Sequence, residues 1–555
     1  MLTRSSISRR GRFAAALFLM AALAACSGSD GAAGERGEQG PPGEQGPPGG
    51  FDPALSTADK AFLGLGGEDA ITGLSSFSVQ SEGTRLMLGE GFDPDGGSVT
   101  VSGFTSTTTH DLAGDAFRID WDRSFFFFGG ERVYSEIVNG NLGYVKGADL
   151  VLAPPDPEAL AALPSDRMAA IRKEQRLLNP LLILRDVAAT PAMASEGGAA
   201  LLDGVVYERL IVKDEVSDIT LYVNPHNGQL AKLETRENDH LRRDVVLEVF
   251  YADWQASGGV QFPGAVFLAL DGELLHAETR TVQADATVAD VAIPTGIDPA
   301  PAFDQEAADH GLHSHQHLQQ FVSLGIPSTG VQSFIEATPL DDADRLFHLT
   351  GGTHHSLAIR QAGGVVIVEA PLYPERSQAI LAWVEEQFGA GTRVTHVISS
   401  HHHFDHSAGL REFVAAGVQV VMHEEARAFF EGIFRAASTI VPDTLAATPG
   451  AQPPIISVPA VAGVDLDDAN APVRVLPLIS SHAKDMVMVY VDIAGSETVF
   501  VSDIFSPGFP AAGPGPAEVL AGIEEFELEV AHIAGGHGVG TATLAELQAI
   551  VNPTR

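Results

Sequence analysis

The sequence predicts an α/β domain in its C-terminal part, preceded by a mainly antiparallel β domain containing one helix. Three observations carry this reading. Apolar and polar residues alternate in Phe77-Ser78-Val79-Gln80, Ser98-Val99-Thr100-Val101 and Phe117-Arg118-Ile119-Asp120-Trp121, and a period of two marks half-buried strands. Beyond residue 335 the rhythm changes. Val365-Val366-Ile367-Val368 is a continuous apolar run, as expected of a strand buried on both faces. Pro374 to Phe388 then sets Ala379, Ile380, Trp383, Val384 and Phe388 at helical spacing before Gly389, where a helix closes. Finally, a cluster of His and Asp follows directly on the strand Val394 to Ile398, at the carboxyl end where open α/β sheets place their sites.

Composition narrows the function. The chain has 555 residues, 45% of them hydrophobic, which suffices for several cores and excludes a wholly disordered protein. Repeated long apolar runs are absent, which excludes a polytopic helical membrane protein. A single Cys can build neither a disulfide framework nor a Cys cage for metal. The formal charge of −39 disfavours contact with a phosphate backbone, so no nucleic-acid partner is expected.

Residues 1–26 read as a lipoprotein signal peptide. Arg4, Arg9, Arg10 and Arg12 precede an apolar stretch from Phe13 to Leu23, and Leu23-Ala24-Ala25-Cys26 follows. A basic start, a short apolar core and a small-residue cleavage site make an export signal. Leu-Ala-Ala-Cys resembles the bacterial lipobox, which implies lipidation at Cys26 and a place in the bacterial cell envelope, lipid-anchored to a membrane. Residues 27–50 carry Gly31, Gly34, Gly37, Gly40, Gly43, Gly46 and Gly49 at every third position, with Pro41-Pro42 and Pro47-Pro48 between them. This is a collagen-like Gly-X-Y tether, read as an extended spacer rather than a trimerising stalk.

Residues 51–300 read as the mainly β domain. Asp218 to Val223 and Gln229 to Thr235 make a hairpin about Asn227-Gly228, which supplies the turn. Val246–Tyr251 and Val260–Leu270 make a second. One helix is expected from Asp166 to Leu184. The strand rhythm loosely resembles the half-barrel of outer-membrane lipoprotein-sorting and lipid-carrying domains, and Phe125-Phe126-Phe127-Phe128 is a candidate lining for an apolar cavity. Residues 301–334 form a polar connection containing His310, His313, His315 and His317, read as a solvated linker.

Residues 335–555 carry the chemistry. His401, His403, Asp405 and His406 have the spacing His-X-His-X-Asp-His. Imidazole and carboxylate are the ligands expected for zinc and similar divalent ions. Alternate residues of a compact loop can reach one metal while the adjacent Asp-His pair reaches a second.

This motif resembles that of the metallo-β-lactamase superfamily, and the resemblance covers essentially the whole C-terminal domain. It implies an αββα sandwich with a metal site at the sheet edge and further ligands on later strand ends. By resemblance, His401, His403 and His482 hold one metal, Asp405, His406 and His537 hold a second, and Asp503 bridges. Two divalent ions are therefore expected, zinc first, with iron and manganese as alternatives. Asp405 would also be the catalytic residue that orients the nucleophile and takes its proton, on a metal-bridging hydroxide. His354 and His355, on a loop that borders the site in this superfamily, are candidate substrate contacts. Glu369 stands where many members have an Asp that supports the metal loop, whereas His402, His423 and His532 read as structural. True β-lactamases of the superfamily lack the bridging Asp, so Asp503 favours the glyoxalase II and lactonase side. The implied activity is hydrolysis of an ester, thioester, lactone, amide or phosphoester in a small molecule. The alternatives are an iron-dependent oxidoreductase of the same fold and a non-enzymatic lipid-binding envelope lipoprotein. The sequence is compatible with a homo-oligomer.

Overall fold

The computed structural model describes residues 51–295 and 334–552, apart from 53, 127–129, 148, 150–157, 449, 452, 453 and 512, together with Leu318. Cys26, the Gly-X-Y tract and His310, His313, His315 and His317 lie outside the described residues. In the N-terminal part, thirteen strands form one sheet whose pairings are antiparallel. One meander steps outward from Ser76–Met87 to Leu160–Ala162, and the other runs from Ala194–Leu202 inward to Glu273–Ala284. They join where Ser76–Met87 pairs with Glu273–Ala284, Phe77 opposite Ala284 and Arg85 opposite His276. Along Arg243–Ala252 buried and half-buried residues alternate without a break, as a pleated strand with one core face requires. The expected hairpin joins Ile219–Val223 to Leu230–Asp239. Gly228 has φ +70° there, and a Cβ on it would lie 2.0 Å from the carbonyl oxygen of Lys60. Only glycine meets both demands.

The helix expected from Asp166 to Leu184 is in fact two, Ser165–Leu178 and Pro180–Ala189. Pro180 has no N–H to continue the first helix but suits the first turn of the next, so the chain bends at Asn179. Leu177, Leu178, Leu181, Ile183, Leu184 and Val187 pack into the core beneath the sheet. Of the four phenylalanines proposed as a cavity lining, Phe125 is a core residue and Phe126 is exposed, while Phe127 and Phe128 lie outside the described residues.

The C-terminal part has four layers. A seven-stranded sheet runs from Glu336–Pro339 to Ile455–Val458, and a five-stranded sheet from Val464–Leu466 to His532–Ala534. In the first, Gly364–Val368, Val394–Ile398, Gln419–His423 and Ile455–Val458 are parallel neighbours. Val366, Val368, Ile398 and Val421 of this sheet meet Val475, Val487, Val489 and Phe500 of the other in one core. Helices Pro374–Phe388, Leu410–Ala415 and Arg427–Arg435 cover the outer face of the first sheet. Gly515–Glu525 and Leu544–Val551 cover that of the second. This is the αββα sandwich implied above, preceded by the large antiparallel sheet.

The described residues fall in one compact unit, in which the sheet grips the sandwich. The Asp244 carboxylate accepts from the backbone N–H groups of Thr439 and Ile440 at 2.9 and 3.1 Å. Arg243 reaches Ser438 Oγ at 3.1 Å, and the His240 ring packs edge-on against Tyr373.

Charge also fastens the first helix to its sheet. Arg167 is fully buried and donates to Glu136 and to Asp149 at 2.7 Å. Arg85, also buried, meets Glu174 on the same helix through two bonds of 2.7 Å. Removing one partner of such a pair leaves an uncompensated charge in low dielectric, which costs roughly 3–5 kcal/mol. Arg167→Met is therefore expected to lower the unfolding free energy by about that amount, read as a drop in the denaturant midpoint. A midpoint equal to wild type would mean that apolar packing alone holds the helix.

Candidate metal centre

Four strand ends converge at one edge of the sandwich. After Val394–Ile398 the chain turns through Ser399 to His403 and enters the short helix Phe404–Ser407. The turn is pinned on both sides: Ser399 N–H donates to Val421 O at 2.9 Å, and Ser400 O accepts from Val487 N–H at 2.8 Å. Ser407 Oγ donates back to the carbonyls of His402 and His403 at 3.0 and 2.8 Å. Alternate side chains then face opposite ways. His402 turns from the cluster to Asp485, with Nδ1 2.6 Å from Oδ1, while its neighbours on either side point inward.

The inward groups form two adjacent sets. His401, His403, His482 and Asp503 offer ligand atoms within 4.8 Å of one another, and so do His354, Asp405, His406 and His537. Asp503 touches both sets. Its Oδ2 lies 3.4 Å from His482 Nε2, and its Oδ1 lies 2.7 Å from His406 Nε2 and 3.1 Å from His537 Nε2. The seven residues expected as ligands therefore stand together, joined by His354. The Nε2 of His354 is 3.0 Å from Asp405 Oδ2, and its Nδ1 is 2.8 Å from Thr353 Oγ1. His355 packs edge-on against His348, and both His354 and His355 are buried. His423 is buried and accepts from Glu425 N–H, and His532 is half-buried.

Hydrogen bonds outside the cluster decide which nitrogen faces in. His406 Nδ1 donates to Glu369 Oε2 at 2.9 Å, and His537 Nδ1 donates to Thr353 O at 2.9 Å. Ser400 Oγ and Ser502 Oγ both donate to Glu369 Oε1, which leaves Ser400 Oγ to accept from His401 Nδ1 at 2.9 Å. Each of these rings thus turns its Nε2 to the centre. His403 is the reverse: Nε2 donates to Gly91 O at 3.0 Å and Nδ1 faces in. Outer partners that fix the tautomer in this way accompany metal-binding histidines. His403 Nδ1, Asp405 Oδ1, His406 Nε2 and Asp503 Oδ1 are buried without a hydrogen-bond partner, and the donor set of imidazole and carboxylate fits a divalent cation.

The electrostatics divide the histidines, lowering His401 and His403 and raising His406 and His537. Burial and the neighbouring histidines hold His401 well below the usual imidazole range, and burial with His482 brings His403 down to about 3. Both stay neutral, the form that binds metal. Burial alone would lower His406 too, but Asp405, Asp503 and Glu369 push it well above its ordinary value. Asp405 and Asp503 are held well below the carboxylate range by His406, against the opposing effect of burial. Among the described residues, the ion-pair partners of Asp405, Asp503, Glu369 and Glu90 are all histidines. No arginine or lysine shares this load.

Three further residues support the ligands, of which only Glu369 stood out in the sequence. Glu369, the first residue after Gly364–Val368, ties His406 to Ser400 and Ser502. Glu90 and Gly91 come from the N-terminal sheet and sit against His403, Glu90 Oε2 at 3.5 Å from its Nδ1. The one hint in the sequence is Gly89-Glu90-Gly91, an acid flanked by glycines between two strands. The half-buried His482, Asp503 and His537 mark the open side of the centre. The loops around it carry exposed apolar residues: Phe92, Ile479, Phe509 and Val539.

Residues 349–540 match the family model described as the metallo-beta-lactamase superfamily. No curated protein matches the sequence. Among solved structures, the chain is similar to DIM-1 metallo-beta-lactamase at 15% identity, over 39% of this chain and 94% of that one, with a TM-score of 0.30. It is similar to a metallo-beta-lactamase from Pontibacter korlensis at 15% identity, over 40% of this chain and 100% of that one, with a TM-score of 0.30. For a metallo-beta-lactamase from Hirschia baltica the values are 16%, 39% and 95%, with a TM-score of 0.29. With the family match falling on the four-layered sandwich and its ligand cluster, the C-terminal domain belongs to the metallo-β-lactamase superfamily.

Proposed function

We propose that this protein is an exported, dinuclear, metal-dependent hydrolase of a small ester, thioester, lactone, amide or phosphoester. The observation that carries the reading is the pair of adjacent four-residue ligand sets joined through Asp503, with imidazole nitrogens turned inward and no arginine or lysine paired to its carboxylates among the described residues. His401, His403 and His482 would hold the first ion, Asp405, His406 and His537 the second, and Asp503 both, with His354 supporting Asp405. Bound divalent ions supply Lewis acidity toward a carbonyl or phosphoryl oxygen and an acidic water at neutral pH. Zinc suits the nitrogen-rich set best, with iron and manganese as alternatives.

The chain's own groups do the rest. Asp405 receives a hydrogen bond from His354 at Oδ2, while Oδ1 is buried and unpartnered, so Oδ1 is the atom that orients the nucleophile and takes its proton. Glu369 keeps the His406 ring from turning. Phe92, Ile479, Phe509 and Val539 on the ligand loops favour a substrate with an apolar portion over a polyanion. We extend the proposal to location: Cys26 bears the lipid, and the Gly-X-Y tract spaces the enzyme from an envelope membrane.

Three measurements test this. Elemental analysis of the purified protein is expected to find close to two divalent ions per chain, with His401→Ala or His482→Ala chiefly emptying the first site. One tightly held ion contradicts the dinuclear reading, and two irons with redox turnover favour an oxidoreductase. Asp405→Asn keeps the size of the side chain and removes its basicity, so kcat is expected to fall about 10²–10⁴-fold and to stay low at saturating zinc. The loss in Asp503→Asn, by contrast, is partly recovered by excess zinc. Near wild-type turnover in Asp405→Asn would take proton transfer away from Asp405. Mass spectrometry of the mature N-terminus is expected to find lipid on Cys26, and an unmodified start beyond residue 26 would refute the anchor.

A further inference from the structure

We propose that Glu90, carried on the loop between strands Ser76–Met87 and Val99–Asp111, is a further carboxylate ligand of the metal centre, beside His403 and Asp405, so that the N-terminal sheet completes that centre. This rests on the centre being a metal site. Glu90, His403 and Asp405 offer ligand atoms that all lie within 4.8 Å of one another. Glu90 Oε2 lies 3.5 Å from the inward-facing Nδ1 of His403, and Oε1 is buried without a hydrogen-bond partner. The side chain is only 6% exposed. Its ionisable neighbours in the centre are the carboxylates of Asp405 and Asp503 and the His406 ring. A divalent cation offsets such a group, and carboxylate oxygen is an ordinary ligand for zinc.

The loop is shaped to deliver this carboxylate. Pairing between the two strands shifts register at Arg85/Leu86, and such an irregularity re-aims the chain that follows. Gly89 then takes φ +86°, a conformation that a side chain resists. Beyond Glu90, Gly91 O accepts from His403 Nε2 at 3.0 Å and Phe92 O accepts from Lys484 N–H at 2.8 Å. Glu90 is thus clamped between contacts to the two segments that bear His403 and His482. A loop that served only to cover the centre would have no need of an acid there.

The test uses the full purified chain, loaded with zinc or cobalt(II). Glu90→Gln is isosteric and removes the charge. It is expected to weaken zinc affinity about 10–100-fold in chelator competition and to change the visible ligand-field bands of cobalt(II) bound in the centre. Asp95→Asn, exposed on the same loop, is expected to leave both unchanged. Glu90→Asp keeps the charge but withdraws it by one methylene. It is expected to lose affinity as well, and it decides the matter if the Gln variant does not fold. Wild-type affinity and cobalt bands in folded Glu90→Gln or Glu90→Asp would overturn the proposal. A wild-type chain that binds no metal would instead overturn the reading of the centre.

Discussion

The carboxylate of Glu369 lies where both sheets of the sandwich meet the ligand loop, and the geometry of the centre depends on it. Its backbone leaves the first sheet, donating to Ile398 O at 2.8 Å. Its side chain accepts from Ser400 and His406 on the ligand loop and from Ser502, the neighbour of Asp503 on the second sheet. The residue has φ +67°, which costs a non-glycine residue on the order of 1–3 kcal/mol. Those bonds hold it there. The last ligand loop joins the same packing, since a Cβ on Gly536 would lie 2.8 Å from the His406 ring and 3.1 Å from Glu369 Oε2. Orientation of His406, approach of Asp503 and position of His537 are therefore set together.

The two halves of the molecule handle buried negative charge in contrasting ways. Under the large sheet, Glu136, Asp149 and Glu174 are met by Arg167 and Arg85 at direct hydrogen-bond distance. The protein neutralises itself there, and the result is a rigid attachment of helix to sheet. In the centre, the ion-pair partners of Glu90, Glu369, Asp405 and Asp503 among the described residues are all imidazoles; burial holds His354 and His403 low, whereas the carboxylates raise His406 and His537. Crowding buried carboxylates in this way is expensive, and a bound divalent cation would offset it. The same contrast argues against an apolar lipid cavity between helix and sheet, where Arg85, Arg123, Glu136, Arg167 and Glu174 are buried.

Much of the C-terminal domain was legible because its signals are local. Four prospective ligands fall within six residues after a buried strand, and His482, Asp503 and His537 follow in order at later strand ends. The strand Gly364–Val368 and helix Pro374–Phe388 announce themselves by periodicity. The failures have physical causes. Helical spacing continues through Pro180, so one helix was expected where the missing N–H makes two. Glu90 and Gly91 reach His403 across 312 residues of sequence, and no local pattern encodes the docking of a loop from one sheet onto another. His354 and His355, read as candidate substrate contacts, are both buried, His354 against Asp405 and His537 and His355 against His348.

Anomalous X-ray scattering at the zinc edge from crystals of the metal-loaded protein tests the central claim most directly. The account predicts two peaks flanking Asp503, one among His401, His403 and His482, the other among Asp405, His406 and His537. A single peak, or zinc lodged outside these residues, would contradict it.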